Sequence, residues 1–209
     1  MSATPLTLSM PARSRSLNVP GLIVGGVILA ALVLGYVGTN VYASLGQRDL
    51  DRKMDAAVSS WASLDPLARS SVAYGTGDPI ARLIVPAIGL DVVVAEGATP
   101  AVMRRAPGHL PGSVTPGAEG VAIVTANRLG FGSFFSRLGN LAEGDQIVTQ
   151  SALGRTTYTV IEVRAVSADR LDLTADSTQR VLVLFGSARM WGGPDRLVIR
   201  AVAQETPRI

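Results

Sequence analysis

The stretch "ARLIVPAIGLDVVVAEG", residues 81–97, decides the fold. Two short runs of aliphatic, largely β-branched side chains, Ile80–Pro86 and Leu90–Ala95, flank the turn "PAIGL". Branched side chains suit a pleated surface, and Pro and Gly bound the runs, so both read as strands. The pattern repeats downstream in Gly120–Ala126, Asp145–Gln150, Thr156–Val166, Arg180–Phe185 and Arg196–Val202. Gly- or Pro-bearing turns separate them: "PGHLPGSVTPGAEG", "LAEGD", "ALGRT" and "WGGPD". This spacing argues for an all-β barrel or sandwich. Two short helices fit between the strands, "TPAVMRRA" with Thr99 as its cap and "FFSRLGNL".

The amino-terminal part has a different texture. No residue from Ser16 to Gln47 is charged, and "GLIVGGVILAALVLGYVGTNVYA" supplies 23 mostly apolar residues, where a bilayer-spanning helix needs roughly 20. Residues 1–47 carry only Arg13 and Arg15, whereas residues 48–77 carry four basic and four acidic side chains. The positive-inside rule then sets the amino terminus in the cytoplasm and the rest outside. Tyr36 and Tyr42 fall toward the outer end, where interfacial aromatics sit. The rival reading is a signal peptide cleaved after "VYA" (41–43), but its apolar core exceeds the usual length of about 7–15 residues. Beyond the span, Leu50, Met54, Ala57, Trp61 and Leu64 recur at helical steps. They predict an amphipathic stalk helix lying against its own domain rather than a partner, ended by Pro66. A Ser/Gly-rich linker, "RSSVAYGTGDP" (69–79), follows. The expected organisation is a cytoplasmic arm (1–20), a transmembrane helix (21–44), a stalk and linker (45–77) and a barrel domain (78–209).

Composition removes several functions. The chain has no cysteine and one histidine, His109, which excludes disulfides, thiolate catalysis and Cys- or His-ligated metal centres. The isoelectric point near 9.8 raises the question of nucleic acid, but no stretch interleaves basic and aromatic residues densely, so nucleic acid is not expected. No cofactor or metal is expected either.

The blocks "ARLIVPAIGLDVVVAEG", "AVMRRAPGHLPGSVTPGAEGVAIV", "FSRLGNLAEGDQIV" and "RLVIRA" resemble a bacterial sortase domain in order and spacing, from about Asp78 to Ala203. The "IPxIGLD…EG" and "PGHxPGS…PGxxG" patterns carry the likeness. The resemblance implies a sortase-like eight-stranded β-barrel with short helices, anchored by one amino-terminal helix on the outer face of a membrane. Family members are cysteine transpeptidases that cleave a sorting signal and join its acyl group to an amine.

The likeness breaks where the family's chemistry sits. The catalytic histidine closes an "AGHR"-like segment, which here reads "IVTANR" and sets Asn127 at that position. The nucleophilic cysteine closes a "TLxTC" strand, which here reads "LVLFG" and ends on Gly186. The arginine has a counterpart in Arg196. Asparagine has no proton to give near neutral pH, and glycine has no atom to attack a carbonyl. A shift of one residue makes Ser187 the strand-end nucleophile, but serine needs a base and the matched partner is Asn127. His109 belongs to the "PGHLPG" turn and reads as a structural hydrogen-bonder. Asp195 is the remaining conceivable partner for Ser187. Arg196 has two readings: a groove residue holding peptide carbonyls or a carboxylate, or a surface charge sharing a strand face with Arg200.

The leading expectation is therefore a membrane-anchored pseudoenzyme that binds a peptide sorting signal or a secreted or surface protein. The loop "SADRLDLTADSTQ" (167–179) would wall its groove by resemblance. The first alternative is an active transpeptidase or hydrolase using Ser187. The second is a purely structural module whose cleft is plugged by Leu184 and Phe185, where the family has threonines. The aromatics of "FGSFF" (131–135) read as packing at the barrel end, with a partner contact as the alternative.

Overall fold

The computed structural model describes residues 19–167, 178–187 and 194–204. The chain divides into two units, Met1–Gly35 and Tyr36–Ile209. Helix α1 covers Val19–Ala62 and, by length and composition, is the one helix among the described residues able to cross a membrane. Its apolar part is almost wholly exposed, as a lipid-facing segment would be.

Eight strands close into a barrel. They are β1 (Pro79–Val85), β2 (Leu90–Glu96), β3 (Gly108–His109), β4 (Gly120–Thr125), β5 (Gln146–Ser151), β6 (Gly154–Ser167), β7 (Arg180–Ser187) and β8 (Asp195–Ala203). Around the barrel the order is β1-β2-β3-β4-β7-β8-β6-β5, and β5 pairs back onto β1. All pairs are antiparallel except β2–β3 and β4–β7. The hairpin read from "PAIGL" forms, with a 3-10 turn at Pro86–Ile88 and Gly89 in the left-handed region at φ 63°. Leu83, Val124, Leu182, Leu184 and Ile199 point inward to one core around the fully buried Phe135 and Tyr158.

The strand that sequence reading missed is β3, which has two residues and so no period. Its place is set by backbone fit. A Cβ on Gly108 would collide with the Gly97 carbonyl, so only glycine lets β3 close up on the end of β2. The helix at "TPAVMRRA" forms as α3 (Pro100–Met103), and the Thr99 hydroxyl accepts the Val102 N–H. "FFSRLGNL" is instead a 3-10 turn at Leu138–Asn140, because Phe135 and Leu138 are drawn into the core. Pro66 does not end the stalk helix. α1 stops at Ala62, and Pro66 opens a separate helix α2 (Pro66–Ser70), capped by Asp65, whose carboxylate accepts the Ala68 N–H at 2.8 Å. Leu64 consequently lies outside the apolar seam and is 36% exposed.

The apolar seam of α1 lies against its own barrel. Leu50, Met54 and Trp61 are buried with Val93, Ala95, Val102 and Ala106. One polar contact sets the register of this packing. Val93 on β2 lies beyond the short β3 and has no strand neighbour on that side. The Gln47 carboxamide takes that place: Nε2 donates to the Val93 carbonyl at 3.0 Å, and Oε1 accepts the Val93 N–H at 2.9 Å. A side chain thus completes a ladder that would otherwise bury open backbone groups. Arg82 adds surface ion pairs to Asp91 at 2.6 Å and to Asp51 of α1 at 3.4 Å.

Leu50→Ala is expected to destabilise the full chain by about 2–5 kcal/mol in chemical unfolding, whereas Leu64→Ala changes little. Tyr74 packs edge-on to Trp61, with ring centroids 6.3 Å apart, and its hydroxyl is buried without a hydrogen-bond partner. Burial first, and the Glu96 charge second, push its phenol up to about 12. The unfolded chain ionises near the ordinary value of about 10, so this contribution is complete below that pH. It is lost as pH rises toward 12. Burial also raises Tyr158. Unfolding measured across that alkaline range should lose part of its pH dependence in Tyr74→Phe.

Candidate functional site

Parallel pairing of β4 and β7 brings two strand ends side by side, with Thr125 opposite Phe185. Asn127 comes two residues after β4 ends at Thr125, while Gly186 and Ser187 finish β7. β8 enters from the other side, with Leu197 opposite Gly186 and Arg196 opposite Ser187. The four positions singled out from sequence therefore meet at one end of the barrel. Asp195 is set against Ser167 on β6, one step beyond Ser187's partner. Most of the expected groove wall, residues 168–177, lies outside the described residues, as do 188–193.

The side chains of Asn127 and Arg196 each have definite partners. The Asn127 carboxamide is half-buried and donates through Nδ2 to the Met103 carbonyl at 3.0 Å, tying the site to the end of α3. Its backbone carbonyl accepts the Phe135 N–H at 3.1 Å. Arg196 donates through Nη1 to the carbonyls of Pro194 and Asp195 at 3.4 and 3.3 Å.

The residue that fills the site is Arg128, which sequence reading did not single out. A Cβ on Gly186 would lie 3.3 Å from the Arg128 Cγ and 3.2 Å from the Ala126 carbonyl. The aliphatic stem of Arg128 thus covers the space that a side chain at position 186 would enter. Its guanidinium is held beyond, donating from Nε to the Phe135 carbonyl at 3.2 Å and from Nη2 to that of Ser136 at 3.3 Å. Leu184 and Phe185 do not share the plugging role. Leu184 is buried in the barrel core, and Phe185 packs in a separate cluster on the outer face with Ile123, Val183 and Val198. Their opposite directions follow from the two-residue period of a strand.

His109 is buried and fully engaged. Nδ1 lies 2.6 Å from Glu96 Oε2, and Nε2 lies 2.9 Å from the Ser113 hydroxyl and 3.0 Å from the Val114 carbonyl. Serine, histidine and glutamate stand here in the order of a catalytic triad. The Ser113 hydroxyl, however, donates to the Leu110 carbonyl at 2.8 Å and accepts the Ile123 N–H at 3.2 Å. Its proton and a lone pair are already in use, so the cluster pins the turn after β3 to the end of β2. Glu96 and Ser113 escaped sequence reading because Glu96 lies 13 residues from His109 and Ser113 sits in the turn after β3, outside any helix or strand.

The loop after Asn127 is unusual in its backbone. Gly130, Phe131, Gly132 and Ser133 all have positive φ, at 70°, 44°, 84° and 45°. Two non-glycine residues in this region store conformational strain. Phe135 is pulled into the core, whereas Phe131 stays at the surface with the Arg104 guanidinium 5.6 Å above its ring. Among the described residues no group of acidic or histidine side chains is arranged to hold a metal ion.

A family model for the Sortase domain matches residues 83–204. Over 153 residues the chain is 25% identical to Sortase D of Bacillus subtilis (strain 168), covering 68% of this chain and 76% of that protein. Its fold is similar to that of a Clostridium perfringens Sortase D5 transpeptidase, with a TM-score of 0.64 at 20% identity over 79% of this chain and 99% of that one. It is also similar to sortase C-1 of Actinomyces oris, with a TM-score of 0.58 at 19% identity over 75% and 99% of the two chains.

Arg128→Ala should loosen residues 129–137, seen as faster amide exchange at Phe135, and lower stability by about 1–3 kcal/mol through lost charge-assisted hydrogen bonds. Arg128→Lys should restore little, because a single ammonium does not reproduce a fork reaching two carbonyls.

Proposed function

Because the chain belongs to the sortase family yet has no cysteine anywhere in its 209 residues, we propose that it is a membrane-anchored pseudoenzyme. Its barrel lies outside the cell, with the amino terminus in the cytoplasm, and it binds a peptide sorting signal or a secreted or surface protein. The observation that carries the reading is the commitment of the Asn127 carboxamide to the Met103 carbonyl, at the position the family's histidine would hold. A carboxamide donates a hydrogen bond there but neither takes nor gives a proton, so a leaving amine would go unprotonated. Arg196 remains at the site end, with a planar fork suited to peptide carbonyls or a terminal carboxylate.

A second reading has one observation in its favour. Ser187, the last residue of β7, stands opposite Arg196, whereas Gly186 stands opposite Leu197. That register makes Ser187 the strand-end residue paired with the arginine, and so the candidate nucleophile of an altered transpeptidase or hydrolase.

The full chain, reconstituted in nanodiscs, is offered sorting-signal peptides and an amine, with products followed by mass spectrometry and binding by peptide fluorescence anisotropy. The expected outcome is binding without turnover, with affinity reduced in Arg196→Ala. Turnover, or an acyl adduct that Ser187→Ala abolishes, would overturn the pseudoenzyme reading in favour of the second. Two restored variants, Asn127→His with Gly186→Cys and Asn127→His with Ser187→Cys, identify the position that supports acyl transfer. Absence of both binding and turnover, together with no activity in either restored variant, counts against a peptide-binding groove.

A further inference from the structure

We propose that the loop after Asn127, residues 129–133, seats the site end of the barrel on the lipid surface at the depth where α1 leaves the hydrocarbon. Three observations within the unit Tyr36–Ile209 converge on this loop. The first is a direct bond: Asn40 Oδ1 accepts the Gly132 N–H at 3.1 Å, while Asn40 Nδ2 donates to the Tyr36 carbonyl at 2.8 Å. The loop is thereby held to α1 at a defined turn. Thr39 lies beside it, its hydroxyl 3.9 Å from where a Cβ on Gly130 would stand.

The second observation is the direction of α1 along the barrel. Asn40 meets the loop at the site end, Gln47 meets β2 at Val93, and Trp61 meets Tyr74. Pro66 and Arg69 then border a cleft with Gly117, Glu119 and Arg180, at the starting ends of β4 and β7. The site end is therefore the end where α1 enters the unit Tyr36–Ile209, and Glu119 marks the far end. Counted from Pro20, a helix rising 1.5 Å per residue crosses about 30 Å of hydrocarbon in about 20 residues, which is the turn containing Asn40. Side chains of α1 begin to be covered at that turn, with Thr39 and Asn40 half-buried and Ala43 fully buried.

The third observation is the chemistry of the surface presented there. Val41, Tyr42 and Leu45 of α1 are each more than half exposed, and Leu129 is 39% exposed near the half-buried Phe131. Exposed Arg104 stacks on Phe131, and exposed Arg137 borders the same loop. Apolar and tyrosine side chains rimmed by arginines match the acyl–headgroup boundary, where apolar groups enter by about 5–10 Å and cations meet lipid phosphates. Leu129 and Phe131 flank Gly130, and residues 130–133 all have positive φ.

The inference rests on α1 being the membrane span, and the test separates the two. The chain has no native cysteine, so single-cysteine variants label cleanly. Val33→Cys, Leu129→Cys and Glu119→Cys in the full chain carry a fluorophore in nanodiscs of equal parts phosphatidylcholine and phosphatidylglycerol. Lipids bearing a nitroxide at the headgroup or deep in the acyl chain quench it. The expected result is deep quenching at Val33, headgroup quenching at Leu129 several-fold above that at Glu119, and little at Glu119. Leu129 no more quenched than Glu119, with Val33 quenched, would overturn the seating while leaving the anchor intact. An unquenched Val33 would overturn the anchor and the seating with it. Asn40→Ala should lower quenching at Leu129 toward the Glu119 level without changing Val33, and unchanged quenching would remove Asn40 as the tether.

Discussion

The parallel register of β4 against β7 is the constraint on which the functional end of this molecule depends. Once Thr125 is set opposite Phe185, Asn127 and the Gly186–Ser187 end of β7 emerge at the same end of the barrel whatever their chemistry. The antiparallel step to β8 then brings Arg196 into the same neighbourhood. Pairing of this kind involves backbone groups and the inward rows of Val124, Leu184 and Ile199. The pairing that builds this end of the barrel therefore does not depend on which side chains stand at positions 127, 186 and 187.

Arg128 lies against Gly186 at this end of the barrel. A cysteine or serine side chain at 186 would share its space with the stem of Arg128, and that stem is anchored by carbonyls of the loop that follows. Arg128 thus belongs both to the site floor and to the loop containing Phe131 and Ser133. The strain of that loop is offset by fixed partners: Asn127 and Arg128 at its root and Asn40 of α1 at its tip.

Helix α1 is more than a tether. Its apolar seam closes the outer face of β2, and its polar residues substitute for missing strand pairs, as the Gln47 carboxamide does at Val93. Loss of the helix would leave Val93, Ala95 and Val102 in water and open backbone groups on β2. The two-residue β3 is the reason, since a longer strand there would have left no gap for Gln47 to fill.

The amino-acid order by itself determined the apolar span, seven of the eight strands, the Thr99-capped helix and the loss of thiol chemistry. Each of these is a local property: a period, a turn residue, a cap, or the absence of one atom type. Tertiary structure alone decided the eighth strand, the end of α1 at Ala62, the Glu96–His109–Ser113 cluster and the placement of Arg128 over Gly186. It also decided that Asn40 reaches Gly132. These depend on groups as much as 92 residues apart meeting after the barrel closes, or on glycines admitted because a neighbouring backbone leaves no room for a Cβ. No local pattern encodes such meetings, because their free energy is realised only when the chain has folded around them.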